Sequence, residues 1–123
     1  MAKEITLRTV LRVNKAGIAR NFDQGSIRFN QTGTGYIDTF QIIGTGTHEL
    51  ISLGALTVPG AFGFYNMSTS VPCLLGLDVG SVFYPFASIP AKTFLCGANL
   101  GTSEVYAKAV GASLHLQFNI IEK

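Results

Sequence analysis

Residues 50–91 carry a single charged side chain, Asp78, where an ordinary composition, roughly a quarter charged, would place about ten. Such a segment is not an ordinary solvated surface. Gly54, Pro59, Gly60, Gly63, Asn66, Pro72 and Gly76 interrupt it, so no run approaches the roughly 20 apolar residues of a membrane-crossing helix. Its apolar side chains are expected to be covered twice, first by a β-rich core and then by other protein chains.

The same glycines and prolines cut the chain into short runs, and no window of helical length shows an apolar stripe, which reads as all-β. Residues 4–13 alternate Ile5, Leu7, Thr9 and Leu11 with Thr6, Arg8, Val10 and Arg12. A polar loop is expected over 14–21, and alternation resumes over 26–31. Tyr36 to Ile43 carries apolar groups on both faces. Residues 47–53, 61–67, 72–77, 81–86 and 93–97 are further expected strands, with a break at Val58-Pro59-Gly60. The clearest expected hairpin pairs Val105–Val110 with Leu114–Ile121 around Gly111-Ala112, and Gly97 to Thr102 reads as a hairpin loop. Small Ala107 and Ala109 against Leu116 and Phe118 place these last strands in the interior. About nine or ten short strands predict a two-sheet antiparallel sandwich, a jelly roll ahead of a barrel, in one domain spanning 1–123.

Composition narrows the function. Hydrophobic residues make up 47% and charged residues 13%, which excludes a disordered chain and leaves little charge to keep a monomer in solution. The net charge is +2, and no run of Lys and Arg forms a phosphate-binding patch, so neither nucleic acid nor membrane is an expected direct partner. Alternation begins directly after Met1-Ala2-Lys3-Glu4, without the pattern of a signal peptide. Cys73 and Cys96 have neither metal nor redox spacing and lie in apolar runs. Two buried, reduced thiols in a chain folded in the cytosol are expected, with a disulfide as the alternative.

No constellation names a reaction, and no catalytic, metal or cofactor residue is assigned. His48 and Glu49 are adjacent, but neighbours on a strand point to opposite faces, and His115 could meet His48 only if their strands paired. The Gly-Thr-Gly turns at 33–35 and 44–46 lack the following helix of a phosphate loop. Phe62, Phe64, Tyr65, Phe83, Tyr84 and Phe86 fall close together, and with Leu75 and Leu77 they form the candidate interface. A sugar-binding platform of Tyr65, Tyr84 and Asn66 is the binding-module alternative.

Gln41-Ile42-Ile43-Gly44-Thr45 leading to Glu49-Leu50, Thr57-Val58-Pro59-Gly60 before Phe64-Tyr65-Asn66, and Val105-Tyr106-Ala107-Lys108-Ala109 before Leu116-Gln117-Phe118 resemble small β-sandwich virion proteins of tailed bacteriophages. The resemblance covers residues 25–123, and Met67 to Pro72 depart from the family's polar turn. It implies a non-enzymatic head decoration, or cement, protein that contacts the major capsid protein or another virion protein. A tail or neck location is the alternative. The virion, assembled in the bacterial host cytoplasm, is the implied location, and a homo-oligomer, trimer or dimer first, is the expected state.

Overall fold

The computed structural model describes residues 5–31, 33–54 and 56–123. These residues form ten strands in three antiparallel sheets and contain no helix. Contacts divide the chain into two compact units, Met1–Thr32 and Gly33–Lys123. This differs from the single unit expected over 1–123, because the first two strands pair only with each other.

The first unit is a hairpin of β1 (Ile5–Lys15) and β2 (Ile18–Phe29). The polar loop expected over 14–21 is instead strand and a two-residue turn, with Asn14 opposite Ala19 and Lys15 opposite Ile18. Ala16 and Gly17 both have positive φ, 47° and 82°. That is the geometry of a tight turn whose twist matches its flanking strands, which polarity alone does not reveal. A register shift between Arg8 and Val10 marks a bulge on the partner strand, where Gly25 has φ 73°. Asp23 accepts from the Gly25 amide at 2.8 Å and from Arg8 Nη2 at 2.8 Å.

The second unit holds β3 (Tyr36–Ile43), β4 (Glu49–Leu50), β5 (Pro59–Asn66), β6 (Cys73–Val79), β7 (Val82–Ile89), β8 (Phe94–Gly97), β9 (Tyr106–Ala109) and β10 (Leu114–Glu122). Two four-stranded sheets result, in the orders β3-β10-β5-β8 and β4-β9-β6-β7. The pairs are nested: β3 with β10, β4 with β9, β5 with β8, β6 with β7. Only β6 and β7 are successive strands in one sheet; every other connection in this unit passes to the other sheet.

Two turn readings are corrected by that topology. Strands β9 and β10 do not form a hairpin, and the loop from Gly97 to Thr102 joins strands of different sheets. The reason is that β9 and β10 both bury alternate residues in one cluster, Ala107 and Ala109 from one sheet, Leu116 and Phe118 from the other. Alternation looks the same whether two strands lie side by side or in opposed sheets. The break expected at Val58-Pro59-Gly60 is also displaced, since Pro59 and Gly60 open β5. Gly60 belongs there because a Cβ would lie 3.0 Å from the Ile121 carbonyl.

One hydrophobic cluster draws on both four-stranded sheets, including Ile43, Phe64 and Ile120 from the first and Cys73, Leu75 and Ile89 from the second. Strands β5, β10, β6 and β9 are central in their sheets, in agreement with the interior placement read for the final strands. Glu122 fastens the margin of the unit. Its carboxylate accepts from the Gly35 amide at 3.0 Å and the Thr57 hydroxyl at 2.9 Å, and these donors, the Gly35 amide first, hold its pKa below the ordinary carboxylate range.

Candidate interaction surfaces

Residues opposite one another in antiparallel strands share a face, so register maps the outer side of the β3-β10-β5-β8 sheet. One row crosses all four strands as Phe40, Gln117, Tyr65 and Phe94, and the next runs Asp38, Asn119, Gly63 and Cys96. Tyr36 and Phe94 are 74% and 71% exposed, and Phe40, Ile42 and Tyr65 are exposed as well. Phe40 stacks on His115 with ring centroids 5.3 Å apart. Asp38, which accepts from Asn119 Nδ2 at 2.6 Å, is the one formal charge in these rows. Exposed aromatic and aliphatic side chains grouped on either side of the polar Gln117 and Asn119 of β10 mark an interaction surface rather than a wet one.

A second apolar surface lies on the β6–β7 hairpin. Leu77 pairs with Tyr84 and Val79 with Val82, which places all four on one side, and all are exposed. Between Leu75, opposite Ala87, and Gly76, opposite Pro85, Phe86 is an extra residue and is exposed. Gly76 is required at this bulge: a Cβ would lie 2.4 Å from the Tyr84 carbonyl oxygen and 2.8 Å from Pro85 Cα.

Of the candidate interface residues, Tyr65, Leu77, Tyr84 and Phe86 are exposed. Phe64 and Leu75 are removed from that set, because both are buried in the shared cluster. Phe62 is half-buried against the core, tilted on Phe64 at 5.7 Å. Phe83 is half-buried and stacks on His48 at 5.2 Å. The reading also missed Tyr36, Phe40, Ile42 and Phe94, which lie outside the charge-poor segment. For Tyr36, Phe40 and Ile42 the signal is the doubly apolar alternation of residues 36–43; Phe94 carries no such signal.

His48 is held by the opposite hairpin. Its Nε2 lies 2.5 Å from Asp78 Oδ2, and its ring meets Tyr106 edge-on at 5.3 Å. Asp78 also accepts from the Ser81 amide at 3.0 Å. The His48 hydrogen bond, more than the amide, draws the Asp78 pKa below its ordinary value. Glu49 turns away and accepts from the Gly44 amide at 2.5 Å, as strand alternation requires, while His115 lies in the other sheet. The His48–Asp78 pair therefore links the loop before β4 to the β6–β7 hairpin. Among the described residues no group of three or more His, Cys, Asp or Glu is placed to hold a metal ion.

Two further readings change. Asn66 is fully buried and donates from Nδ2 to the carbonyls of Val71 at 2.7 Å and Ile89 at 3.0 Å, while Oδ1 accepts from the Ser68 amide at 3.0 Å. It is thereby unavailable to a sugar, and Tyr65 and Tyr84 belong to different sheets, so the three residues of the sugar platform do not converge. Cys73 is buried and its thiol is pushed up to about 12 by burial. Cys96, expected to be buried, is exposed because it falls on the outward side of edge strand β8. Both thiols are free. The chain matches no protein-family model, no curated protein and no solved structure.

Proposed function

We propose that this protein is a non-enzymatic structural component of a tailed-phage virion, a head decoration subunit that self-associates and docks on the major capsid protein. The observation that carries the reading is the extent of exposed apolar surface on a charge-poor body. The aromatic row across the β3-β10-β5-β8 sheet and the Leu77–Tyr84 side of the β6–β7 hairpin are separate surfaces, enough for more than one kind of neighbour. Decoration subunits need two sets of contacts, one to each other and one to the lattice, and gain affinity by repeating weak ones.

Residues 33–123 are proposed to be a two-sheet jelly roll. The nested strand pairs support this, because rolling one long ribbon of paired strands over itself yields two four-stranded sheets with the first and last strands as neighbours. Such a body leaves broad sheet faces for contacts. The resemblance to small phage virion proteins, read from the β3, β5 and β9–β10 motifs, supplies the virion assignment.

The test is co-expression with the major capsid protein encoded in the same genome, followed by sedimentation of assembled heads. Co-sedimentation at a fixed ratio to capsid protein, lost in Tyr84→Ser combined with Phe86→Ser or in Phe40→Ser combined with Phe94→Ser, supports the reading. A chain that stays at the top of the gradient while tail assemblies carry it places the protein in the tail or neck instead.

A further inference from the structure

We infer that the β1–β2 hairpin is an exchange arm, whose apolar face docks on the outer face of the β3-β10-β5-β8 sheet of a second copy of this chain. The inference deepens the assembly reading above and rests on it. Register sorts the arm into two faces: Leu7 lies opposite Ile27 and Leu11 opposite Phe22 on one, which continues toward the turn with Arg20 and Lys15, while Arg28 opposite Thr6, Arg8 opposite Ser26 and Arg12 opposite Asn21 lie on the other. Leu11, Phe22 and Ile27 are 61%, 50% and 56% exposed. On the same face Ile5 is buried and Leu7 half-buried; a two-stranded sheet that leaves the rest of its apolar side chains in water is at best marginally stable, and strands of 11 and 12 residues offer a long face for a partner to cover.

Charge selects the partner. Residues 5–31 hold Arg8, Arg12, Lys15, Arg20 and Arg28 against Asp23, an excess of four positive charges. These cations are spread along the sequence, and the hairpin brings them into one unit, Arg8, Arg12 and Arg28 on one face and Lys15 and Arg20 on the other. Residues 33–123 hold Asp38, Glu49, Asp78, Glu104 and Glu122 against Lys92, Lys108 and Lys123, an excess of two negative charges. Two arms therefore repel each other, whereas an arm and a body attract. On that body the outer face of the β3-β10-β5-β8 sheet groups exposed Phe40, Tyr65 and Phe94 around Gln117, Asn119 and Asp38, so it offers apolar cover to Leu11, Phe22 and Ile27 and polar or anionic partners to Lys15 and Arg20.

Cys96 provides the test, because it is exposed and lies in the Asp38–Asn119–Gly63 row of that face. Full-length Phe22→Cys is mixed with a mass-tagged full-length chain that keeps Phe22, and a short bis-maleimide is added. A tagged–untagged crosslink absent from the unsubstituted pair, and lost when the tagged chain carries Cys96→Ser, is expected. Leu11→Ser with Phe22→Ser, both exposed positions, is expected to weaken self-association about tenfold or more. A crosslink confined within one chain overturns the exchange. So does an oligomer that persists in the double variant without any Cys96-dependent crosslink, a result that leaves the assembly reading standing. A mobility shift of duplex DNA, lost in Arg8→Ser with Arg12→Ser and unaccompanied by a crosslink, also overturns it and assigns the arm to nucleic acid. A monomer by light scattering overturns both readings.

Discussion

Replacing Asn66 with alanine is expected to destabilise the fold by about 3–5 kcal/mol. The side chain is fully buried and makes three hydrogen bonds to backbone groups, to Val71 O, to Ile89 O and from Ser68 N. A buried group left without its partner costs about 1–3 kcal/mol. Ser68 and Val71 lie in the loop after β5 and recover some solvation, whereas the bond to Ile89 O is buried, so the total falls short of the plain sum. Against the roughly 5–15 kcal/mol that holds a typical domain, the loss is large. Asn66→Asp discriminates the mechanism, since it preserves shape and removes the two donors. Its carboxylate would face the Val71 and Ile89 carbonyls, which favours the protonated form and raises the folded-state pKa above the unfolded one. The deficit of this variant relative to wild type should therefore be greatest at neutral pH and shrink as pH falls. Urea unfolding followed by fluorescence, at neutral pH and near pH 5, measures both variants. Loss of less than about 1 kcal/mol in Asn66→Ala, or a deficit in Asn66→Asp that grows on acidification, would refute the assignment of Asn66 as the clasp between β5, its following loop and β7.

Gly76→Ala should cost about 3 kcal/mol or force a register change in the β6–β7 hairpin, because a Cβ meets backbone at 2.4 Å; hydrogen exchange of the β7 amides reads it. Glu122 and Asp78 have lowered folded-state pKa values, so what they add is complete above the ordinary values of 4.5 and 3.8 and is lost as pH falls through the lower folded ones. Glu122→Gln is expected to flatten the acid limb of the stability curve, and a limb as steep as wild type contradicts this. A thiol reagent without denaturant should label Cys96 and spare Cys73, which is buried with its thiol pushed up to about 12; mass spectrometry showing two labels would contradict that burial.

Most strands of the second unit were legible because alternation and turn residues report directly which side chains share a face. Tyr36–Ile43 falls where it was expected, and β5, β6, β8, β9 and β10 lie within about two residues of it. What alternation does not report is the neighbour. Ala107 and Leu116 look like a side-by-side pair along the chain, yet they come from different sheets, and only the long-range pairing of β3 with β10 and β4 with β9 reveals it. The turn at Ala16-Gly17 was hidden for another reason: alanine is a rare choice for positive φ, and Asn14, Lys15, Arg20 and Asn21 around it read as a polar loop. The candidate surface was half legible. Tyr65, Leu77, Tyr84 and Phe86 emerged from the absence of charge, but that criterion does not separate an exposed aromatic from a buried one, hence Phe64 and Leu75. The His48–Asp78 pair joins residues 30 apart in the sequence and left no local signal.

Self-association is the claim on which the functional reading rests, and its most direct test is light scattering coupled to size exclusion on the full-length protein at low micromolar concentration. Covering one of the two apolar surfaces to the extent of a standard interface, about 800 Å² on each subunit, gives a gross gain on the order of 20 kcal/mol at about 25 cal/mol per Å² for the apolar part of both. Lost translational and rotational freedom offsets much of it, which leaves micromolar to nanomolar affinity. The account predicts a mass two or three times that of the 13.1 kDa chain, or higher. A soluble species at the monomer mass would contradict it and leave the exposed aromatic row of β3, β5 and β8 without the partner proposed for it.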